Sequence, residues 1–315
     1  MNIIEVLSME KPILENEIGR ILKISRAAVR KQINTLKQAG YTIKSSSDGY
    51  TLVKDVNLFN EYEIESKLKK QLNVCKTVKY YKELPSTQTA VKKLAEKDFK
   101  EGFVVVAGKQ TNGYGRIRRE WSSNDGGLWF SMLLKPLIHP KETPKLALLL
   151  SIALNRTLEK NYGVNSEIKW PNDVLVLDKK IAGILVEMSI QQDITNWVVA
   201  GVGININNNL PKDLESFAVS LKTILKKRVD ISGLLAAFLM EFENLYIAFW
   251  KKGFKQFYDE YNDKMAYKNK PVTIDMGYGI IAGINLGIDE EGKLVIKTSN
   301  GFEKIISGTL RELKK

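Results

Sequence analysis

The stretch QTNGYGRIRREW, residues 110–121, brings together two glycines, three arginines and a tryptophan. Glycine lets the main chain come close to a ligand. Arginine carries a planar fork of donors that matches carboxylate or phosphate. Successive backbone N–H groups beside such cations form an anion cradle. Trp121 can add an apolar or stacking wall. The run is not a Walker loop, because no Gly-Lys-Ser/Thr follows, and it is not a GxGxxG dinucleotide fingerprint. A basic surface turn is the alternative reading.

Two further clusters share this character. IKWPNDVLVLDKKIAGILVEMS, 168–189, puts Lys169 in a strand that must end or bulge at Trp170-Pro171, since proline lacks a donor and restricts the residue before it. Asn172 and Asp173 follow in a turn; a plain turn with a snorkelling lysine is the alternative. VVAGVGININNN, 198–209, places Gly201 and Gly203 inside a strand pattern, where glycine marks close approach of another group. Asn205 and Asn207 add polar groups on one side of that strand, and a bulged edge is the alternative.

What the chain lacks narrows the chemistry. Cys75 is its one cysteine and His139 its one histidine, so an internal disulfide and a Cys/His zinc site are excluded. His139, in LIHPKETP, reads as a surface loop residue and Cys75 as a small buried one. The chemistry must use Lys, Arg, carboxylates, amides and backbone. The net charge of +12 favours polyanionic partners. The apolar run LALLLSIAL, 146–154, is far short of the ~20 residues a membrane span needs, and no export signal is visible at the N-terminus. The cytoplasm is therefore the expected location, with no membrane partner.

The elements that must position these residues fall into three units. The first reads as helix, turn, helix and hairpin. Ile18, Ile21 and Leu22 fit one helix face; Val29, Ile33 and Leu36 recur on the next. Ser25 is its N-cap, Gly40 follows its end, and Asp48-Gly49 signals a hairpin. This is a winged helix-turn-helix. Seven basic residues and no acidic one lie between Ile18 and Ser47. Arg26, Arg30, Asn34 and Lys37 recur on the outer face of the second helix, as major-groove docking requires. A connector over 55–80 carries a charged helix, EYEIESKLKKQL. The largest unit has strand candidates at 102–110, 128–134, 167–177, 180–190 and 197–207, and helices at 87–97, 144–162 and 231–250. The last alternates short β runs with Gly-rich turns and reads as a small β barrel. The fold class is α+β.

Taken together, the chain resembles the bifunctional biotin–protein ligases that are also biotin operon repressors. The resemblance runs over essentially the whole sequence: SRAAVRKQINTL, STQ at 86–88, the glycine–arginine loop, KWPND, KKIAGILVE and GVGININ. It implies a winged helix-turn-helix DNA-binding domain over 1–62 and a central mixed-sheet α/β ligase domain over 63–268. That domain is of the class II aminoacyl-tRNA synthetase-like, lipoate-ligase-like kind. A small SH3-like β barrel over 269–315 completes the division. It also implies a two-step reaction with ATP and Mg2+, in which biotin becomes biotinyl-5′-AMP and is then passed to a lysine of a carboxylase's biotin-carrier domain. Biotin is thus both substrate and corepressor precursor, and the adenylate-bound protein is a homodimer on operator DNA.

Residue by residue, the resemblance gives Lys169, Arg116 and Arg119 the catalytic roles. It gives Ser86, Thr87, Gln88, Gln110, Tyr114, Gly115, Arg116, Trp121 and Lys169 to biotin. Arg116, Arg119, Trp121, Asn172, Lys180 and Asn205 go to the adenylate or ATP. Ser25, Arg26, Arg30, Lys31, Asn34 and Lys37 go to DNA, and Asp173 is a candidate Mg2+ contact. Tyr114 stands where the family has an arginine, which implies altered retention of the adenylate. A biotin-sensing repressor with a weak catalytic domain and a lipoate or octanoate ligase are the alternatives.

Overall fold

A computed structural model describes residues 3–7, 11–53, 59–68 and 72–313. Parts of the expected connector, 55–58 and 69–71, lie outside the described residues, as do 1, 2, 8–10, 54, 314 and 315. The first unit holds helices α1 (Ile3–Leu7), α2 (Glu15–Leu22) and α3 (Arg26–Gln38) and the hairpin β1 (Thr42–Ser46) and β2 (Gly49–Val53). Ser25 Oγ accepts the Ala28 N–H at 3.2 Å, the expected cap. Val29, Ile33 and Leu36 turn inward to meet Ile18. Ile21 does not join them: it is 43% exposed. The hairpin turn is Ser47–Asp48, one residue earlier than expected, because Ser46 pairs with Gly49. Gly49 instead serves a close approach, since a Cβ there would lie 2.2 Å from the Ile13 carbonyl oxygen.

Helix α4 (Glu61–Lys67) buries Ile64 in the central core. Asn60 caps it, accepting the Glu63 N–H at 2.9 Å, and donates to the Ala39 carbonyl behind α3 at 2.8 Å. The central unit then runs β3 (Thr77–Leu84), α5 (Thr87–Ala95), β4 (Phe103–Gln110), β5 (Leu128–Leu134), α6 (Lys145–Tyr162), β6 (Glu167–Lys169), β7 (Asp173–Val176), β8 (Lys179–Gln191) and β9 (Ile194–Ile204). Helices α7 (Leu221–Leu225), α8 (Ile231–Lys252) and α9 (Tyr258–Asp263) follow. The strands form one seven-stranded sheet in the order β3-β4-β5-β9-β8-β7-β6. Only β3 and β4 run parallel.

Alternation along the strands separates the two faces of this sheet. Val104, Val106, Phe130 and Met132 pack into the main core with α6 and α8. Val105, Leu133 and Val199 pack on the other side, against Val91 and Ala95 of α5. By length and composition α8 could cross a membrane, but most of it is buried inside the protein. Each fully buried aromatic such as Phe238 or Phe242 contributes about 1.5–3 kcal/mol there.

Strand β3 is not expected from the sequence; it straddles the end of the expected connector and the start of the central unit. The strand expected at 167–177 is two strands, β6 and β7, broken by Trp170–Asn172. Strand β9 stops at Ile204, so Asn205 and Asn207 sit in the loop beyond it. It lies between β5 and β8, not at an edge. The last unit is a five-stranded antiparallel sheet of β10 (Pro271–Asp275), β11 (Ile280–Ile288), β12 (Leu294–Thr298), β13 (Gly301–Ile305) and β14 (Thr309–Glu312). Its order is β13-β12-β11-β10-β14, and Ile274, Leu294, Ile296 and Leu310 continue the main core.

Candidate active site

Helix α5 is short, and beyond its N-terminus the sheet face lies open. Here a cavity of about 320 Å³ is bounded by Ser86–Gln88, the glycine–arginine loop, the β6–β7 turn and Gly308–Leu310 of the last unit. Every residue expected to meet the small-molecule ligands lines it: Ser86, Thr87, Gln88, Gln110, Tyr114, Gly115, Arg116, Arg119, Trp121, Lys169, Asn172, Lys180 and Asn205, with Asp173 beside them. His139 is exposed and outside it, and Cys75 is buried outside it with its thiol pushed up by burial.

One end of the cavity is a neutral polar niche. Gln110 Oε1 accepts from the Thr87 N–H at 2.8 Å and the Thr87 hydroxyl at 3.0 Å, while Gln110 Nε2 donates to Ser123 Oγ at 2.8 Å. Gln88 Oε1 accepts from Ser131 Oγ at 3.0 Å. Ser86 is the N-cap of α5, accepting the Thr89 N–H at 3.4 Å. The strand glycines make the room. A Cβ on Gly201 would come within 2.4 Å of Gln88 Oε1, and one on Gly203 within 2.4 Å of Trp121 Nε1.

The other end is cationic. Lys169 sits at the end of β6, and burial pulls its ammonium below the usual lysine pKa; Asp173 opposes this, while Lys180 and Arg311 add to it. Burial likewise lowers Arg116, whose guanidinium donates to Asn172 Oδ1 at 3.1 Å, the Gly308 carbonyl at 3.2 Å and Ser307 Oγ at 2.9 Å. The loop arginine therefore spans from the β6–β7 turn of the central sheet to the last unit. Lys180 pairs with Asp173 at 2.7 Å and lies 4.9 Å above the Trp121 ring. Trp121 Nε1 is buried with no hydrogen-bond partner. Arg119 is exposed at the rim. Asn205 Oδ1 accepts from Asn208 Nδ2 at 3.0 Å, which fixes the loop after β9.

The loop itself differs in detail from the expected cradle. The Gly115 N–H donates to the Arg119 carbonyl at 2.8 Å and is not free for an anion. Gly113 is needed for packing, since a Cβ there would lie 2.6 Å from Ser123 Oγ. Ile117, at the loop apex, is 76% exposed with φ 54°, a conformation costly for a β-branched residue. Sequence reasoning missed Ser131, Glu187 and Lys92 around the niche and the Ser307–Gly308 anchor. Glu187 closes the KKIAGILVE stretch, but nothing in that motif points to the niche, and the others stand in no recognisable motif; strand register and the return of the chain bring them in.

Among the DNA-directed residues, Ser25, Arg26, Arg30, Lys31, Asn34 and Lys37 are all exposed. Arg30 is tied to Glu15 of α2 at 2.9 Å.

An α+β sheet domain with this cavity, joined to a winged helix and a small β unit, defines the biotin/lipoate class of protein ligase. Residues 80–205 match the Biotin/lipoate A/B protein ligase family, 1–51 an HTH domain and 268–309 the Biotin protein ligase C terminal domain. The Bacillus subtilis Bifunctional ligase/repressor BirA is 36% identical over 302 residues, covering 93% of this chain and 92% of that protein. The Escherichia coli Bifunctional ligase/repressor BirA is 28% identical over 301 residues, 93% and 91% of the two chains. The Aquifex aeolicus biotin protein ligase, solved in complex with biotin and ATP, superposes with a TM-score of 0.67 at 33% identity, over 76% of this chain and 100% of that one. The chain belongs to the bifunctional biotin–protein ligase/repressor family.

Proposed function

We propose that this protein joins biotin to a lysine of a carboxylase's biotin-carrier domain, using ATP, and that it also represses transcription in response to biotin. The observation that carries the reading is the meeting of a neutral polar niche and two half-buried cations, Lys169 and Arg116, in one cavity. Such a cavity suits a molecule with a ureido ring at one end and a carboxylate at the other.

In the first step an oxygen of biotin's carboxylate attacks the α-phosphorus of ATP. The bond to the bridging oxygen breaks and pyrophosphate leaves with its electron pair. Lys169 and Arg116 stabilise the negative charge on the carboxylate and the α-phosphate. In the second step the acceptor lysine's amine attacks the acyl carbon, AMP leaves, and the amine's proton passes to water. No protein nucleophile is required. Trp121 and the loop cover the mixed anhydride and exclude water. Gln88, Thr87 and Gln110 hold the ureido ring from one side, with Ser86, Tyr114 and Gly115 beside them. Arg119, Asn172, Lys180 and Asn205 serve the nucleotide.

Among the described residues no group of three metal-ligating side chains exists. Mg2+ would enter with the triphosphate and neutralise charge on the leaving pyrophosphate, with Asp173, paired to Lys180 at 2.7 Å, as the candidate protein contact.

The three domains divide at 62 and 268. The exposed cationic face of α3 reads operator DNA, and the adenylate-bound form acts there as a homodimer; the cytoplasm is where both partners are met. The test of the substrate is pyrophosphate release with biotin, lipoate and octanoate. The expected result is release with biotin alone. Equal release with lipoate or octanoate indicates a different acyl ligase, and none with any acid indicates a biotin sensor.

A further inference from the structure

Two side chains one turn apart on α5 and one from the glycine–arginine loop meet on one carboxylate, Glu187 of β8. Gln88 Nε2 donates to its Oε2 at 2.9 Å and Lys92 Nζ to its Oε1 at 2.5 Å. The Tyr114 hydroxyl, from the glycine–arginine loop, donates to Oε2 at 3.4 Å. We infer that Glu187 is a positioning residue that couples the head-group niche to closure of this loop. The inference rests on the ligase reading above and gives a role to the last residue of the KKIAGILVE stretch, which that reading left unassigned.

The first half of the argument concerns Gln88. A carboxylate only accepts hydrogen bonds. Glu187 therefore turns the Gln88 amide so that its NH2 faces Glu187 and the Val199 carbonyl, the latter at 3.0 Å. Gln88 Oε1 is left toward Ser131 and the cavity wall. That orientation offers an acceptor to the N–H groups of a ureido ring. The reversed amide would set oxygen against carboxylate.

The second half concerns the loop. Tyr114 is held by long contacts, 3.4 Å to Glu187 and 3.5 Å from Lys92 Nζ to its hydroxyl, with the Arg118 guanidinium 4.4 Å over its ring. The bond from Gln88 has ordinary length and that from Lys92 is short, whereas the bond from Tyr114 is at the weak end of the range. A firm base with a weak loop contact is what a lid that reopens each turnover needs. Tyr114 thus has a job that differs from a phosphate clamp: it latches the loop to the residue that orients Gln88. Coupling of this kind is reciprocal, so each end changes the other's binding.

The test uses the full-length protein and the variants Glu187→Gln, Tyr114→Phe and the double variant. Biotin affinity is measured by calorimetry, which needs no turnover, together with kcat and KM for pyrophosphate release and the rate of biotinyl-AMP loss. Glu187→Gln should weaken biotin binding and raise KM about tenfold, with kcat changed less than about threefold. Tyr114→Phe should speed adenylate loss about threefold, and the double variant should lose it no faster than Glu187→Gln alone. Additive effects on adenylate loss, or unchanged biotin affinity in Glu187→Gln, overturn the coupling. Should Glu187→Gln fail to fold, Glu187→Asp replaces it, with weaker biotin binding expected and unchanged affinity contradicting the proposal. A wild type that binds biotin without releasing pyrophosphate refutes the ligase reading but leaves the affinity comparison decisive for Glu187; a wild type that binds no biotin refutes both.

Discussion

The recognition helix α3 and the cavity both rely on cations, and they use them in opposite ways. Arg26, Lys31 and Lys37 stand exposed on a helix face. Lys169 and Arg116 are drawn into a pocket where burial depresses both pKa values. Exposed charges are screened by salt and act on long-range attraction and on phosphate contacts. Buried charges are less screened and act on one bond at one position. Composition alone does not distinguish them, because lysine and arginine count equally toward +12 wherever they lie. What separates them is the backbone beneath: a helix face open to solvent in one case, and strand ends, two glycines and a returning domain in the other.

Three changes probe that contrast, taken from the largest expected effect. Gly203→Val puts side-chain atoms where Trp121 lies, since a Cβ would meet its indole nitrogen at 2.4 Å. Displacing the ring should lower pyrophosphate release about 100-fold while DNA binding without biotin and ATP is unchanged. An assay of both activities on one preparation checks this. Lys31→Ala, on the exposed face, should reduce the salt dependence of operator binding by about one unit of log–log slope and leave ligation intact. A matching fall in ligation would remove the distinction between the two regions.

The smallest effect is a shift along the pH axis. Lys169 acts as a cation, so activity is lost as pH rises through its folded-state pKa, which burial sets below the ordinary lysine value. Asp173 raises that pKa, so Asp173→Asn should move the alkaline limb of the pH–rate profile to lower pH. An alkaline limb that stays in place or moves upward argues against Lys169 as the titrating group.

Much of the site was legible because its motifs constrain the backbone. Gly201 and Gly203 marked a close approach, and their partners prove to be Gln88 and Trp121. Proline after Trp170 marked where the strand breaks, and Lys169 is indeed the last residue of β6. The winged helix was legible from Ser25, Gly40 and the spacing of Val29, Ile33 and Leu36. Strand β3 was not, because TVKYYKEL lies at the sheet edge with most side chains exposed and lacks the apolar alternation of its neighbours. Ile21 followed the helical period yet stayed exposed, since periodicity gives a face but not what covers it. Glu187 and the Ser307–Gly308 anchor were hidden for a different reason. A glutamate in a strand reads as solvent-facing, and only the register of β8 against β9, with α5 laid across them, brings it to Gln88 and Lys92.

The central claim is that a half-buried cation at the end of β6 drives the activation of biotin on which transfer depends. Its most direct test is ATP-dependent incorporation of labelled biotin into a biotin-carrier domain by wild type and by Lys169→Ala. The account predicts transfer by the wild type and a loss of at least about 100-fold in a variant whose circular dichroism and melting show the wild-type fold. Transfer by Lys169→Ala at a rate near that of the wild type would contradict it.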